Sequence, residues 1–377
     1  MNGKRNTPFG ELGVICMRGC EALGEMIDSY LRQWDIDDGG HGESFLVKCS
    51  CPRFATGEAK GMLDQSVRGY DLYILCDIFN YSVTYKMYGQ DNAMSPDDHY
   101  ADLKRIIGAT NGKARRLNVI MPMLYEGRQH RRFTRESLDC ALSLKELQRM
   151  GVTNIITFDA HDPRVQNAIP LIGFENVQPK YQMIRELVST VPDLKIDKDH
   201  LMVVSPDEGG MPRSIYYASV MGLELGMFYK RRDYTRLEHG RNPLISHEFL
   251  GEHLAGKDVI VIDDMISSGE SILSVGSQLK KLGARRIFVF ACFGLFCEGL
   301  DKYDKAYNDK MLDKVFTTDL IYQPRALLEK PWYQSVNMSK YISYIIATLN
   351  RDHSLSDLLN PQSRIERVLT DAKKKRL

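Results

Sequence analysis

Long apolar runs are missing from this 377-residue chain. None approaches the ~20 residues that a membrane helix needs. The opening MNGKRNTPFGELG lacks the apolar core of a secretory signal. Both absences read as a cytoplasmic protein with no membrane partner. An excess of charge is missing too: 50 Lys and Arg face 49 Asp and Glu, a net +1. That balance gives no footing for bulk attraction to nucleic acid. The eight cysteines, at 16, 20, 49, 51, 76, 140, 292 and 297, are scattered without the paired clusters of a structural zinc site. They read as reduced thiols, several of them buried. What remains is an ordinary globular composition, 43% hydrophobic and 26% charged, long enough for two domains.

Strand-like and helical patterns alternate almost throughout, which predicts an α/β fold with largely parallel sheets flanked by helices. SFLVKCS, DLYILCDI, LNVIMPML and TNIITFDA read as strands of a first half, and LMVVSPD, ELGMFYK, DVIVIDD and RIFVFACF as strands of a second. ESLDCALSLKELQRMG and GMPRSIYYASVMG have helical spacing. Both halves repeat one layout, a strand ending in a charged residue, then a loop, then a helix. A boundary is expected near 176–180. Residues 34–43, 81–98 and 233–248 read as irregular, and the tail from Pro361, ending in Lys373-Lys374-Lys375-Arg376, as a solvated helix or disordered end.

One segment concentrates chemistry, VIVIDDMISSGES, from Val259 to Ser271. The apolar run predicts a buried parallel strand. Asp263 and Asp264 stand at its C-terminal end, and Ser267-Ser268-Gly269-Glu270-Ser271 leads into ILSVGSQLKKLGA, a helix. Ligands of open α/β sheets bind beyond the carboxyl ends of strands. Amides at a helix start suit a phosphate, and paired carboxylates can accept hydrogen bonds from vicinal hydroxyls. The segment therefore predicts a site for a phosphorylated sugar.

Other motifs stand at predicted strand ends. VVSPDEGGMPR puts Asp207 before Gly209-Gly210, which allow a close backbone approach. Lys230-Arg231-Arg232 follows ELGMFY, where cations would stabilise charge on a transferring phosphoryl group. TFDAHD sets His161 among carboxylates, a possible magnesium-nucleotide element. MPMLYEGRQHRR offers Arg128 and Gln129 to a nucleotide, and RFATGE offers Phe54 and Glu58 to a purine.

The phosphate segment resembles the phosphoribosyl-diphosphate loop of the type I phosphoribosyltransferase fold. The motifs together resemble the ribose-phosphate diphosphokinases (phosphoribosyl pyrophosphate synthetases), in collinear order from about Gly13 to Pro361. The family's F-x-D-G-E appears as Phe54 to Glu58, and its V-R-G-x-D-x-Y-I as Val67 to Ile74. Its Y-A-R-Q-D-R-K becomes Glu126 to Arg132, and its D-L-H-A becomes Asp159 to Asp162. V-S-P-D-x-G-G is intact at Val204 to Gly210.

The resemblance implies transfer of the diphosphoryl group of ATP to the 1-hydroxyl of ribose 5-phosphate, leaving AMP. It implies two similar phosphoribosyltransferase-like domains in a homo-oligomer. The first, 1–178, would lie on the ATP side and be completed by 338–377; the second, 179–337, would bind ribose 5-phosphate and carry a catalytic lid. By the same resemblance Phe54 and Glu58 hold adenine across a neighbouring subunit, Arg128, Gln129 and His161 contact ATP, and His161 and Asp207 hold Mg2+. Lys230 and Arg232 are catalytic. Asp263, Asp264, Ser267, Ser268, Gly269 and Ser271 bind ribose 5-phosphate. Departures are Thr56 and His130 in place of acids and Ser267 in place of a third loop aspartate, which brings the loop closer to the transferase version. A phosphoribosyltransferase and a non-catalytic regulatory paralogue of the synthetase stand as alternatives.

Overall fold

The computed structural model describes residues 7–232 and 244–374, with backbone alone at 230–232 and 244–247. Its contacts form two compact units. One comprises 1–178, 319–322 and 337–360, the other 179–318, 323–336 and 361–377.

The first unit opens with strand β1 (Glu11–Cys16) and helix α1 (Glu21–Asp37). A short pair, β2 (Cys49–Ser50) and β3 (Met62–Leu63), precedes β4 (Tyr70–Leu75). The hairpin β5 (Thr84–Met87) and β6 (Gln90–Ala93) leads to α2 (Pro96–Ala109), then β7 (Arg116–Ile120), α3 (Asp139–Arg149), β8 (Asn154–Phe158) and β9 (Gly173–Val177). The central sheet runs β1-β4-β7-β8-β9, every pair parallel. Ile15, Ile74, Val119 and Ile155 from four strands meet Leu103 and Ile106 of α2 and Leu144 and Leu147 of α3 in one core.

The second unit contains α4 (Lys180–Thr190), β10 (Leu201–Ser205), α5 (Met211–Met221), β11 (Glu224–Arg232), β12 (Leu244–Leu250), β13 (Asp258–Ile266) and α6 (Glu270–Lys281). It continues with β14 (Ile287–Gly294), α7 (Asp301–Asn308), β15 (Lys314–Thr318), α8 (Arg325–Leu328) and β16 (Tyr333–Val336). The seven strands run β12-β11-β10-β13-β14-β15-β16, parallel except for β12 against β11. The apolar run of β13 is explained by its position. Val259 and Val261 enter one core, Ile260 and Ile262 the core on the other face, so both sides of a central strand must be apolar.

The chain then returns. Helices α9 (Ser339–Asn350) and α10 (Ser356–Leu359) belong to the first unit, where Trp34 of α1 stacks on Tyr344 of α9 at 4.4 Å. Helix α11 (Gln362–Lys374) belongs to the second. The expected assignment of 338–377 to the first domain therefore differs from the contacts after residue 360. Ile365 and Leu369 of α11 pack with Met183, Ile184 and Leu187 of α4 and Tyr217 of α5.

Two strand expectations shift for visible reasons. SFLVKCS makes only one bridge, Leu46 to Val14, before the two-residue β2. Asp28 of α1 accepts hydrogen bonds from the Ser44 hydroxyl (2.9 Å) and the Phe45 amide (2.8 Å), which ties the segment to a helix instead of a ladder. The edge of the sheet beside β4 is taken instead by ELGVIC, a segment for which no strand is expected. Residues 81–98 hold an ordered hairpin. Tyr88 (φ 49°) and Gly89 (φ 78°) both take positive φ at its tip, the geometry of a tight primed turn.

Candidate active site

Strand β13 delivers Asp263 and Asp264 to its C-terminal end. The Asp264 amide donates to Asp263 Oδ1 (2.9 Å), and the Met265 amide donates to Asp264 Oδ1 (2.8 Å). Arg213, in the first turn of α5, reaches Asp264 at 3.7 Å. Burial, and then the charges of Asp264 and Asp207, push the Asp263 carboxyl well above the usual range.

The following loop is held from the end of β14. The Leu295 and Phe296 amides donate to the Ile266 carbonyl (2.8 and 3.2 Å), and the Cys297 amide donates to the Ser267 carbonyl (2.9 Å). Gly269, at φ 84°, caps α6 in the left-handed region. Glu270 opens the helix and is exposed.

Asp207 sits one strand away, beyond β10. Its Oδ1 accepts from the amides of Gly209 (3.0 Å) and Gly210 (3.2 Å), while the Ser205 hydroxyl donates to the Asp207 carbonyl (2.7 Å). A Cβ on Gly210 would lie 2.7 Å from Ser205 Oγ and 3.2 Å from the Ile262 carbonyl, so the turn packs directly on β13. Asp207, Arg213, Asp263, Asp264 and the Ser267–Ser271 loop thus share one end of the second sheet. Lys230, Arg231 and Arg232 end β11 in register with His247, Ser246 and Leu244, with a bulge between Arg231 and Arg232. Their side chains lie outside the described residues.

In the first unit, His161 follows β8 and is exposed. Asp159 before it takes φ 39°. The structure brings His130 beside it, with ring centroids 5.3 Å apart, and sets His130 Nε2 3.5 Å from Asp162 Oδ2. Burial lowers the His130 pKa, and hydrogen bonds from Arg164 draw Asp162 down to about 2. Arg128 and Gln129 lie in the turn after β7. Arg128 is exposed, and Gln129 Nε2 donates to the Ser137 carbonyl (2.9 Å).

Phe54 and Glu58 close a separate small loop. The Phe54 amide donates to the Glu58 carbonyl (2.7 Å), Gly57 takes φ 93°, and Phe54 is left 57% exposed. Next to it, half-buried Arg53 pairs with buried Asp102 at 2.9 Å and anchors the loop.

Two stretches of the chain have separate family matches, with His161 in the interval between them. Residues 12–151 match the N-terminal domain of ribose phosphate pyrophosphokinase, and residues 174–325 match the phosphoribosyl transferase domain. The chain belongs to the ribose-phosphate pyrophosphokinase family.

Among curated members, the ribose-phosphate pyrophosphokinase of Vibrio parahaemolyticus is 24% identical over 319 residues, 84% of this chain and 92% of that protein. The Mycoplasma genitalium enzyme is 26% identical over 301 residues, 79% of this chain and 80% of its own. The crystal structure of phosphoribosylpyrophosphate synthetase from Mycobacterium smegmatis shares the fold with a TM-score of 0.73 at 18% identity, covering 91% of this chain and 99% of that one. As in that family, two α/β units of the same layout make up the chain.

No cluster of three or more metal-binding side chains forms a cage among the described residues, and no described helix is long and apolar enough to cross a membrane. The donor set nevertheless fits a magnesium ion of the kind this family implies. Asp207 is an oxygen donor whose charge, with that of Asp264, raises the Asp263 pKa, so a hard cation beside it would be favoured, and magnesium is commonly held by one or two carboxylates plus substrate phosphates.

Two contributors escape sequence reading. Arg213 is visible only as a cation three residues after Gly210, and its pairing with Asp264 emerges from the packing of α5 on β13. His130 reads as a lost acid, whereas the fold pairs it with Asp162 and His161.

Proposed function

We propose that this chain transfers the diphosphoryl group of ATP to the 1-hydroxyl of ribose 5-phosphate, yielding phosphoribosyl diphosphate and AMP. The observation that carries this is the acidic pair and hydroxyl-glycine loop at the end of β13, within a pyrophosphokinase-family chain. Asp263 and Asp264 accept the ribose hydroxyls, and the amides and hydroxyls of Ser267, Ser268, Gly269 and Ser271 hold the 5-phosphate at the start of α6. That fixes the 1-hydroxyl for in-line attack on the β-phosphorus.

Arg128, Gln129 and His161 hold ATP, with Phe54 and Glu58 on its adenine from a neighbouring subunit of a homo-oligomer. Lys230 and Arg232 stabilise the charge that grows on the transferring group. Asp207 and His161 are the proposed magnesium ligands, and magnesium when bound neutralises charge on the diphosphoryl group. The setting is the cytoplasm. A plain phosphoribosyltransferase would need only the second unit, so the match of residues 12–151 argues against it.

Phosphorus NMR with magnesium, ATP and ribose 5-phosphate tests the reading. AMP and a sugar-linked diphosphate are expected in equal amounts. Release of free phosphate, or no turnover with ribose 5-phosphate, would overturn it.

A further inference from the structure

Beneath the phosphate loop lies a hydroxyl with nothing to bind. Tyr303 of α7 is fully buried, stacked on Trp332 at 5.2 Å and edge-on to Phe296 at 5.0 Å. The Trp332 indole donates to Asp304 Oδ1 (2.7 Å), as does Lys330 to Oδ2 (2.5 Å), so the platform behind the ring is fixed. The ring directs its hydroxyl at Gly269. A Cβ built on Gly269 would fall 1.9 Å from Tyr303 Oη. Yet that hydroxyl has no hydrogen-bond partner among the described residues, and burial alone pushes its pKa up.

A phenylalanine would fill the same space without burying an unpaired donor, which costs free energy. A binding role for the loop explains why the donor is there. When a phosphate dianion occupies the loop, backbone N–H groups turn toward it, and a peptide unit whose N–H faces one way presents its carbonyl the other way. Gly269, with no Cβ, is free to make that turn. The carbonyl then points at the floor, where Tyr303 waits.

We propose that Tyr303 is a positioning residue for the phosphate loop. Its hydroxyl donates to the Ser268 carbonyl when a phosphate monoester binds, the Gly269 carbonyl being taken by the Leu273 amide (3.0 Å), and so holds the loop amides in their phosphate-binding orientation. This rests on the assignment of Ser267–Ser271 as the 5-phosphate site, and it adds a residue from a different element.

The test compares the unaltered chain with Tyr303→Phe by calorimetric titration of ribose 5-phosphate and, separately, of inorganic phosphate, alongside thermal melting without ligand. The melting temperature of Tyr303→Phe should hold or rise, because an unpaired donor is removed. Both ligands should bind about five- to tenfold more weakly, the worth of one hydrogen bond. In turnover, KM for ribose 5-phosphate should rise by the same factor while KM for ATP stays put. Unchanged affinity for both ligands would overturn the inference and leave the site assignment standing. Weakened ribose 5-phosphate binding with unchanged inorganic phosphate binding would also overturn it, because the hydroxyl would then act on the sugar. A lowered melting temperature with KM values unmoved would mark Tyr303 as packing only. Should the unaltered chain bind neither ligand, the site assignment and the inference fall together.

Discussion

Asp264 shows what a single carboxylate does at the end of a buried strand. It lies beside Asp263, close to Asp207, and the Arg213 guanidinium reaches it at 3.7 Å. In the proposed role of ribose acceptor it would make charge-assisted hydrogen bonds, each worth about 1.5–3 kcal/mol. Asp264→Asn should therefore raise KM for ribose 5-phosphate about 10- to 100-fold and leave KM for ATP within about twofold. Steady-state kinetics varying each substrate in turn checks this; equal rises in both KM values would contradict it.

A different carboxylate carries a pH signature. Asp77, 5% exposed, accepts hydrogen bonds from the Phe79 amide (3.0 Å) and the Tyr322 amide (2.7 Å), but burial outweighs them and lifts its pKa to about 7. The folded chain then holds this proton more tightly than the unfolded chain. The contribution is fully present below about pH 4 and is lost as pH rises through 7, on the order of 4 kcal/mol in all. Asp77→Asn should flatten that decline. Melting curves at pH 5 and 8 should show the unaltered chain losing more stability than the variant between the two; parallel losses would show that Asp77 does not titrate in this window. Neither the raised pKa nor the pairing of residue 77 with residue 322 is legible in CDIFN, because both come from a segment 245 residues away that returns to cover the carboxylate.

Among the elements, β13 was the most legible, and its opposite ends explain why. Its C-terminal end carries chemistry, and its N-terminal end carries a structural clamp that no motif announces. Asp258, fully buried, accepts from Arg285 Nε (2.8 Å) and Arg286 Nη2 (2.8 Å) across the β13–β14 start. Burial raises its pKa, but the two guanidiniums more than offset this and hold it below the usual range. The first unit repeats the device at the start of β4, where buried Asp71 accepts from Arg116 Nε (2.7 Å), Asn118 (2.9 Å) and Asn350 of α9 (3.0 Å). Asp258→Ala should cost about 3–5 kcal/mol by leaving cations without their partner. The phosphate loop lies at the other end of a strand that rises ~3.3 Å per residue, so ribose 5-phosphate affinity measured well below the melting temperature should persist. A denaturant midpoint that does not move would refute the clamp.

The element that was missed and the one that shifted share a cause. Continuously apolar strands such as DLYILC and VIVIDD announce themselves because both faces are buried. GFENV, an edge strand with Glu175 and Asn176 at its centre, and the SFLVKCS segment, held by Asp28, are decided by tertiary partners that a local pattern does not contain.

At the scale of the whole molecule, the chain crosses between its two units several times, and the last crossing places α11. Its sequence, QSRIERVLTDAKK, is mostly polar, and composition alone reads it as a solvated tail. Ile365, Leu369 and Ala372 nevertheless form one buried stripe at helical spacing, laid on α4 and α5. Met183, Ile184, Leu187 and Tyr217 are buried partly by that stripe. Ending the chain after Asn360 should uncover them. Each large apolar side chain returned to water costs about 1.5–3 kcal/mol, so the second unit should weaken by several kcal/mol while the first, which keeps α9 and α10, keeps its core. Hydrogen exchange separates the two outcomes. Faster exchange in α4 and α5 with unchanged protection in β4, β7 and β8 is expected. Uniform loss of protection across both units would mean that they unfold as one, and unchanged protection everywhere would mean that α11 is a passive tail after all.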